Sequence, residues 1–120
     1  MPGQPTKWSA EFFPGGDVEG PAFKAIRDLR DAEAQAEIMH WIEQLEEFGP
    51  YHWLESKRVR KVQTSRENVL ELRVHHRQAF RVLFCCRGQM IWILHFVVKK
   101  KQDLDKQDVQ LADRRAKQLP

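Results

Sequence analysis

The sequence predicts an α+β domain: a small twisted antiparallel sheet of three to five strands, two N-terminal helices packed on one of its faces, and a C-terminal helix. Three observations lead there. Between Val69 and Lys101, three apolar runs rich in Val, Ile, Leu and aromatic residues are separated by polar breaks at His75–Gln78 and Arg87–Gln89, as in consecutive antiparallel strands. Ahead of them, Phe23, Ile26 and Leu29, and then Ile38, Ile42, Leu45 and Phe48, recur at helical spacing. Behind them, Leu104, Val109, Ala112, Ala116 and Leu119 form the apolar stripe of a last helix.

Each element has its own local signals. Lys7–Phe13 reads as a short opening strand, ended by Pro14-Gly15-Gly16. Pro21 stands where a helix can start without wasting an N–H. Asp31 is placed to cap a second helix, with Glu33 and Glu37 near its positive end and Gly49-Pro50 as its stop. Tyr51–Ser56 is a connection, Lys57–Val62 is either a basic edge strand or a basic loop, and Ser65–Asn68 is a turn. After the three strands, Asp105 caps the last helix, Asp108 lies in its first turn, and Arg114, Arg115 and Lys117 suit its C-terminal end. The expected organisation is one domain, 1–120, with 1–17 a poorly defined N-terminal segment.

Composition narrows the function classes. With 120 residues, 42% hydrophobic and 31% charged, the chain reads as a soluble globular domain able to bury one core. No apolar run approaches the ~20 residues of a membrane helix. Met1–Lys7 is polar and proline-rich, unlike a signal peptide, so a cytoplasmic protein is expected. Cys85 and Cys86 are adjacent in a strand and point to opposite faces, which suits two small buried hydrophobes. No spacing suggests a zinc or magnesium site, and no cofactor is expected. The charge is asymmetric: residues 1–50 carry 4 Lys/Arg against 10 Asp/Glu, and residues 51–120 carry 16 against 7. The basic second part points to a polyanion, of which nucleic acid is the commonest.

Strand parity sorts the central stretch. The even positions, from Leu70 through Val82 and Phe84 to Trp92, Leu94 and Phe96, are apolar and expected to face the helices. The odd positions include Glu71, Arg73, His75, Arg81 and His95, so that face is expected to be at least partly open. With hairpins centred on Arg77 and Gly88, Arg73 falls opposite Arg81 and Arg81 opposite His95. Like charges opposed across a sheet are destabilising unless they hold an anion, and guanidinium forks match phosphate. His95 and His75 have intrinsic pKa values suited to proton transfer. Trp41, Trp53 and Trp92 are candidate base-stacking surfaces, although packing is favoured for Trp92. His40 and His52 are read as surface or packing residues, and His76 as facing solvent in the hairpin turn.

At these residues the chain resembles the RelE/ParE toxin superfamily, in its phage-derived, HigB-type branch. The segments that carry the resemblance are Leu70-Glu71-Leu72-Arg73, Phe80-Arg81-Val82-Leu83-Phe84, and Ile91–His95 leading to Lys99-Lys100 and a capped helix with Leu111-Ala112. It spans about Phe23 to Leu119. It implies the toxin of a type II toxin–antitoxin pair, a metal-independent mRNA endoribonuclease that leaves 2′,3′-cyclic phosphate and 5′-OH ends. It implies as partners mRNA, the ribosome and a cognate antitoxin of helix-turn-helix type, with no membrane and no small-molecule cofactor. Arg73, Arg81, His95, Lys99 and Lys100 would then be catalytic, and Arg58, Arg60, Lys61, His75, Arg77 and Lys101 would contact RNA. Phe96 stands where the family has glycine, and so bulky a side chain could fill space near the site. The alternatives are a ParE-like gyrase inhibitor and an inactive phage-derived module that binds RNA or a partner.

Overall fold

The computed structural model describes residues 7–100 and 104–120. Strand β1 (Ser9–Phe12) is followed by helices α1 (Pro21–Arg27) and α2 (Ala32–Phe48) and a 3-10 turn at Pro50–Trp53. Then come β2 (Val59–Lys61), β3 (Leu70–His76), β4 (Gln78–Arg87), β5 (Met90–Lys99) and helix α3 (Lys106–Lys117). The predicted α+β class and element order are what the chain adopts.

Local chemistry sets the helix ends. Asp31 caps α2, its Oδ1 accepting from the Ala34 N–H at 3.1 Å. Gly49 ends α2 with φ +82°, and a Cβ there would also come within 2.8 Å of the Trp8 indole nitrogen. Glycine answers both demands. Pro21 opens α1 as expected. Asp105 occupies the cap position of α3, but its side chain makes no capping hydrogen bond.

The five strands lie in the order β1-β5-β4-β3-β2. All neighbours are antiparallel except β1, which runs parallel to β5 with Ser9 beside Met90 and Phe12 beside Ile93. The sheet is therefore mixed rather than purely antiparallel. Two helices separate β1 from the other strands, so no tight hairpin dictates its direction. The short opening strand expected within Lys7–Phe13 thus forms at Ser9–Phe12, as an edge of the sheet.

Helices cover both faces. On one, Ala22, Ile26, Ala34, Ile38, Ile42 and Leu45 of α1 and α2 pack against Leu72, Val74, Phe80, Val82, Phe84, Ile91, Ile93 and Phe96. On the other, Ala112 and Ala116 of α3 pack against Val69, Leu83, Cys85 and Leu94. Each large side chain so buried contributes about 1.5–3 kcal/mol. Parity holds throughout β3 and β4 but fails in the first half of β5, where Ile91 and Ile93 take the α1–α2 face and Trp92 and Leu94 the α3 face.

The cause is a change of register. Arg87 pairs with Met90 across a two-residue turn, and the pairing then jumps from Phe84↔Ile93 to Leu83↔His95, so Leu94 is an extra residue. Turn and bulge each shift β5 by one, and together they restore the faces while moving partners by two. Arg73 faces Arg81 as expected. Arg81, however, faces Val97 rather than His95.

Among the described residues no helix is long and apolar enough to cross a membrane. Cys85 and Cys86 are free thiols on opposite faces, as adjacency requires.

Two stability predictions follow from this packing. Asp31→Ala removes the α2 cap and should cost about 1 kcal/mol, read as a lower urea midpoint with an unchanged slope. Burial pushes the Cys85 thiol up from 9.0 to about 11. The unfolded thiol ionises first, so stability should fall as pH rises from about 9 towards 11. Cys85→Ala should make that fall shallower in urea titrations across this range.

Candidate functional site

The centre of the site is the cross-strand pair of Arg73 on β3 and Arg81 on β4. Both lie on the face that α3 covers, beyond the half it occupies. Arg81 is only 8% exposed. Its Nη1 donates to the Phe80 carbonyl at 2.9 Å, and its Nε lies 3.7 Å from Glu71 Oε2. Burial lowers the pKa of Arg81, Arg73 and Arg60 lower it further, and Glu71 alone opposes them. Three cations therefore gather at Arg81, where the mostly buried Glu71 is the carboxylate that opposes them. A guanidinium carries five donors, and these partners leave several of them for another acceptor.

Neighbouring rows place the other basic groups. His75, Ala79 and Lys99 form the next row along β3, β4 and β5. His75 and Lys99 thus flank the arginine pair on one side, with Lys100 exposed just past the strand end. His95, opposite Leu83, flanks it on the other side as a diagonal neighbour of Arg81. Its Nε2 is 2.8 Å from Asp108 Oδ1 of α3. Lys101 lies outside the described residues.

Because β2 is short, β3 beyond Arg73 has no strand on its outer side, and a groove of about 500 Å³ opens along that edge. Arg58, Arg73, His75 and Arg81 line it together with Lys57, Trp41 and Trp53. Arg58 donates to the Arg73 carbonyl at 3.0 Å, and its Cζ sits 4.0 Å from the centre of the Trp41 ring. A second groove, of about 540 Å³, runs between β2 and the start of α3. Lys57, Arg60, Lys61 and Glu71 are among its walls. Within the run at Lys57–Val62 only Val59–Lys61 is an edge strand, and Lys57, in the turn before it, lines both grooves.

Some expected residues sit elsewhere. Arg77 occupies the hairpin tip with φ +64°, its guanidinium 3.4 Å from Asp31 and 3.6 Å from Glu33 at the start of α2. His76 does not face open solvent, since its Nε2 lies 3.3 Å from Glu33 and its side chain is 27% exposed. Phe96 does not intrude on the site: it stacks on Phe80 in the α1–α2 core, on the opposite face from Arg81. Strand alternation sends it there, because Val97 is the residue opposite Arg81.

Two contributions were not apparent from sequence. Asp108, read only as a first-turn acid, is the partner of His95. Lys57, outside the expected contacts, lines both grooves. Its place in a basic run was the available signal.

Removing the Glu71 carboxylate should expose the repulsion. Glu71→Gln should destabilise the fold by about 2–4 kcal/mol in urea, since it strands partly buried cations. Arg73→Gln in the same chain should recover part of that loss, giving a negative coupling energy in the double-mutant cycle.

No curated protein matches the chain. The family described as "Phage derived protein Gp49-like (DUF891)" matches residues 24–117, which span α2, the sheet from β2 to β5, and α3. The chain belongs to this phage-derived Gp49-like family.

Proposed function

We propose that this chain is the toxin of a type II toxin–antitoxin pair and that it cuts mRNA at a phosphate held by Arg73 and Arg81. Three things support the reading: membership of a phage-derived family, the likeness of its strand segments to RelE and HigB toxins, and the opposed arginines. The last carries it. A fold that gathers three cations at Arg81 against one carboxylate, beside an open groove, is suited to an oxyanion.

The chemistry needs only the substrate's own nucleophile. The RNA 2′-oxygen bonds to the adjacent phosphorus, the bond from phosphorus to the 5′-oxygen breaks, and the leaving oxygen takes a proton. The products are a 2′,3′-cyclic phosphate and a 5′-OH. Negative charge grows on the non-bridging oxygens, where Arg73 and Arg81 would stabilise it, Arg81 being already held by Glu71 and the Phe80 carbonyl. Attacking and leaving oxygens lie roughly in line, so base and acid belong on opposite sides of the phosphorus. His95 flanks Arg81 on one side, and Lys99 and His75 flank it on the other. These are the proposed proton-transfer groups, with Asp108 orienting His95. Arg58, Arg60, Lys61 and Lys100 would hold flanking phosphates. The mRNA would be presented on the ribosome, and a helix-turn-helix antitoxin would hold the enzyme in check.

Primer extension on ribosome-bound mRNA after incubation with the purified protein tests this reading. Wild type should cut within codons. Arg81→Ala should lose about 10²–10³ in kcat while keeping its far-ultraviolet spectrum. Intact mRNA under the wild type, or an undiminished rate in Arg81→Ala, would overturn it.

A further inference from the structure

The outer end of the groove beside Arg73 and Arg81 is aromatic, and holding a phosphate does not require that. Trp41 of α2 and Trp53 of the 3-10 turn line this end together with Arg58. The two indoles meet edge to face, with centroids 5.0 Å apart. Both indole N–H groups are already used: Trp41 donates to Glu37 Oε1 at 3.0 Å and Trp53 to the Gln44 carbonyl at 3.4 Å. These side chains therefore offer the groove π surface rather than hydrogen bonds.

Arg58 joins this surface to the phosphate pair. Its guanidinium lies over Trp41 at 4.0 Å, and the same group donates to the Arg73 carbonyl at 3.0 Å. A planar cation held against a ring has one face covered and presents the other, a surface on which a nucleobase stacks. Glu37 fixes the Trp41 ring at its N–H edge, and the edge-to-face contact with Trp53 buttresses it. These contacts place the platform in the unbound chain, so little ordering is needed on contact.

We propose that Arg58 stacked on Trp41, with Trp53 beside it, is a subsite for an unpaired nucleobase next to the phosphate at Arg73 and Arg81. The inference rests on the RNA reading of that site and makes the substrate single-stranded. A base in a duplex has both faces covered by its neighbours and cannot use the platform.

Fluorescence anisotropy with short 2′-O-methyl RNA, which cannot cyclise, tests the subsite. The probes are an intact single strand, single strands with one abasic nucleotide at each position in turn, and the duplex. Wild type should bind the intact strand about tenfold more tightly than one of the abasic strands and than the duplex. Arg58→Lys keeps the charge but not the plane. It should lose that preference while keeping both its urea midpoint and its salt dependence. Arg81→Ala should keep the preference while the slope of log K against log salt falls by about 0.7. Equal affinity of wild type for intact and abasic strands, or an unchanged preference in Arg58→Lys, would overturn the subsite and leave the phosphate site standing. Failure of wild type to bind any of the RNAs would overturn both.

Discussion

Arg73 and Arg81 face each other across adjacent strands, where like-charged side chains stand about 5 Å apart at the Cβ atoms. At Arg81 the opposing pull of Glu71 is weaker than the repulsion from Arg73, and Arg60 adds to that repulsion. The pair persists because the surrounding structure fixes it. Backbone pairing sets the register on both sides of β4, and Arg81 is pinned between Glu71 and the Phe80 carbonyl. A bound oxyanion would relieve the repulsion that the fold leaves uncompensated. The proposed activity depends on that imbalance.

The position of α3 decides which part of the face stays open. Leu94, the extra residue of β5, turns its side chain into the α3 cluster, while its carbonyl accepts from Arg115 at 2.6 Å. Asp108 reaches His95 in the same strand. Asp113 accepts from the Ser65 hydroxyl at 2.6 Å and from the Arg66 N–H at 3.0 Å, tying the helix to the turn between β2 and β3. These three polar attachments hold α3 over Leu83 and Cys85. The arginine pair lies one row further along, beyond the helix. The bulge thus links the core beneath α3 to the accessibility of the site.

Much of this was legible in the sequence, and where it was not the reasons are specific. The caps at Asp31 and Gly49, the hairpin at Arg77 and the opposition of Arg73 to Arg81 rest on short-range chemistry or on two adjacent strands. His95 was misplaced by two residues because a turn residue and a bulge residue each preserve or break parity only locally. Their combined shift leaves the pattern beyond Leu94 looking unbroken. The parallel pairing of β1, the seating of α3 on the arginine face and the pairing of His95 with Asp108 are contacts between distant segments that periodicity does not encode. Phe96 was read in two ways: alternation put it on the helix-facing side, where it lies, whereas the resemblance, which has glycine there, suggested that it could fill space near the site, which it does not.

The oxyanion site at Arg73 and Arg81 is tested most directly by thermal unfolding in inorganic phosphate against chloride at equal ionic strength. Phosphate that binds only the folded chain should raise Tm progressively with concentration, and Arg73→Gln should abolish most of the rise. An equal rise in wild type and Arg73→Gln, or no rise in wild type, would contradict it.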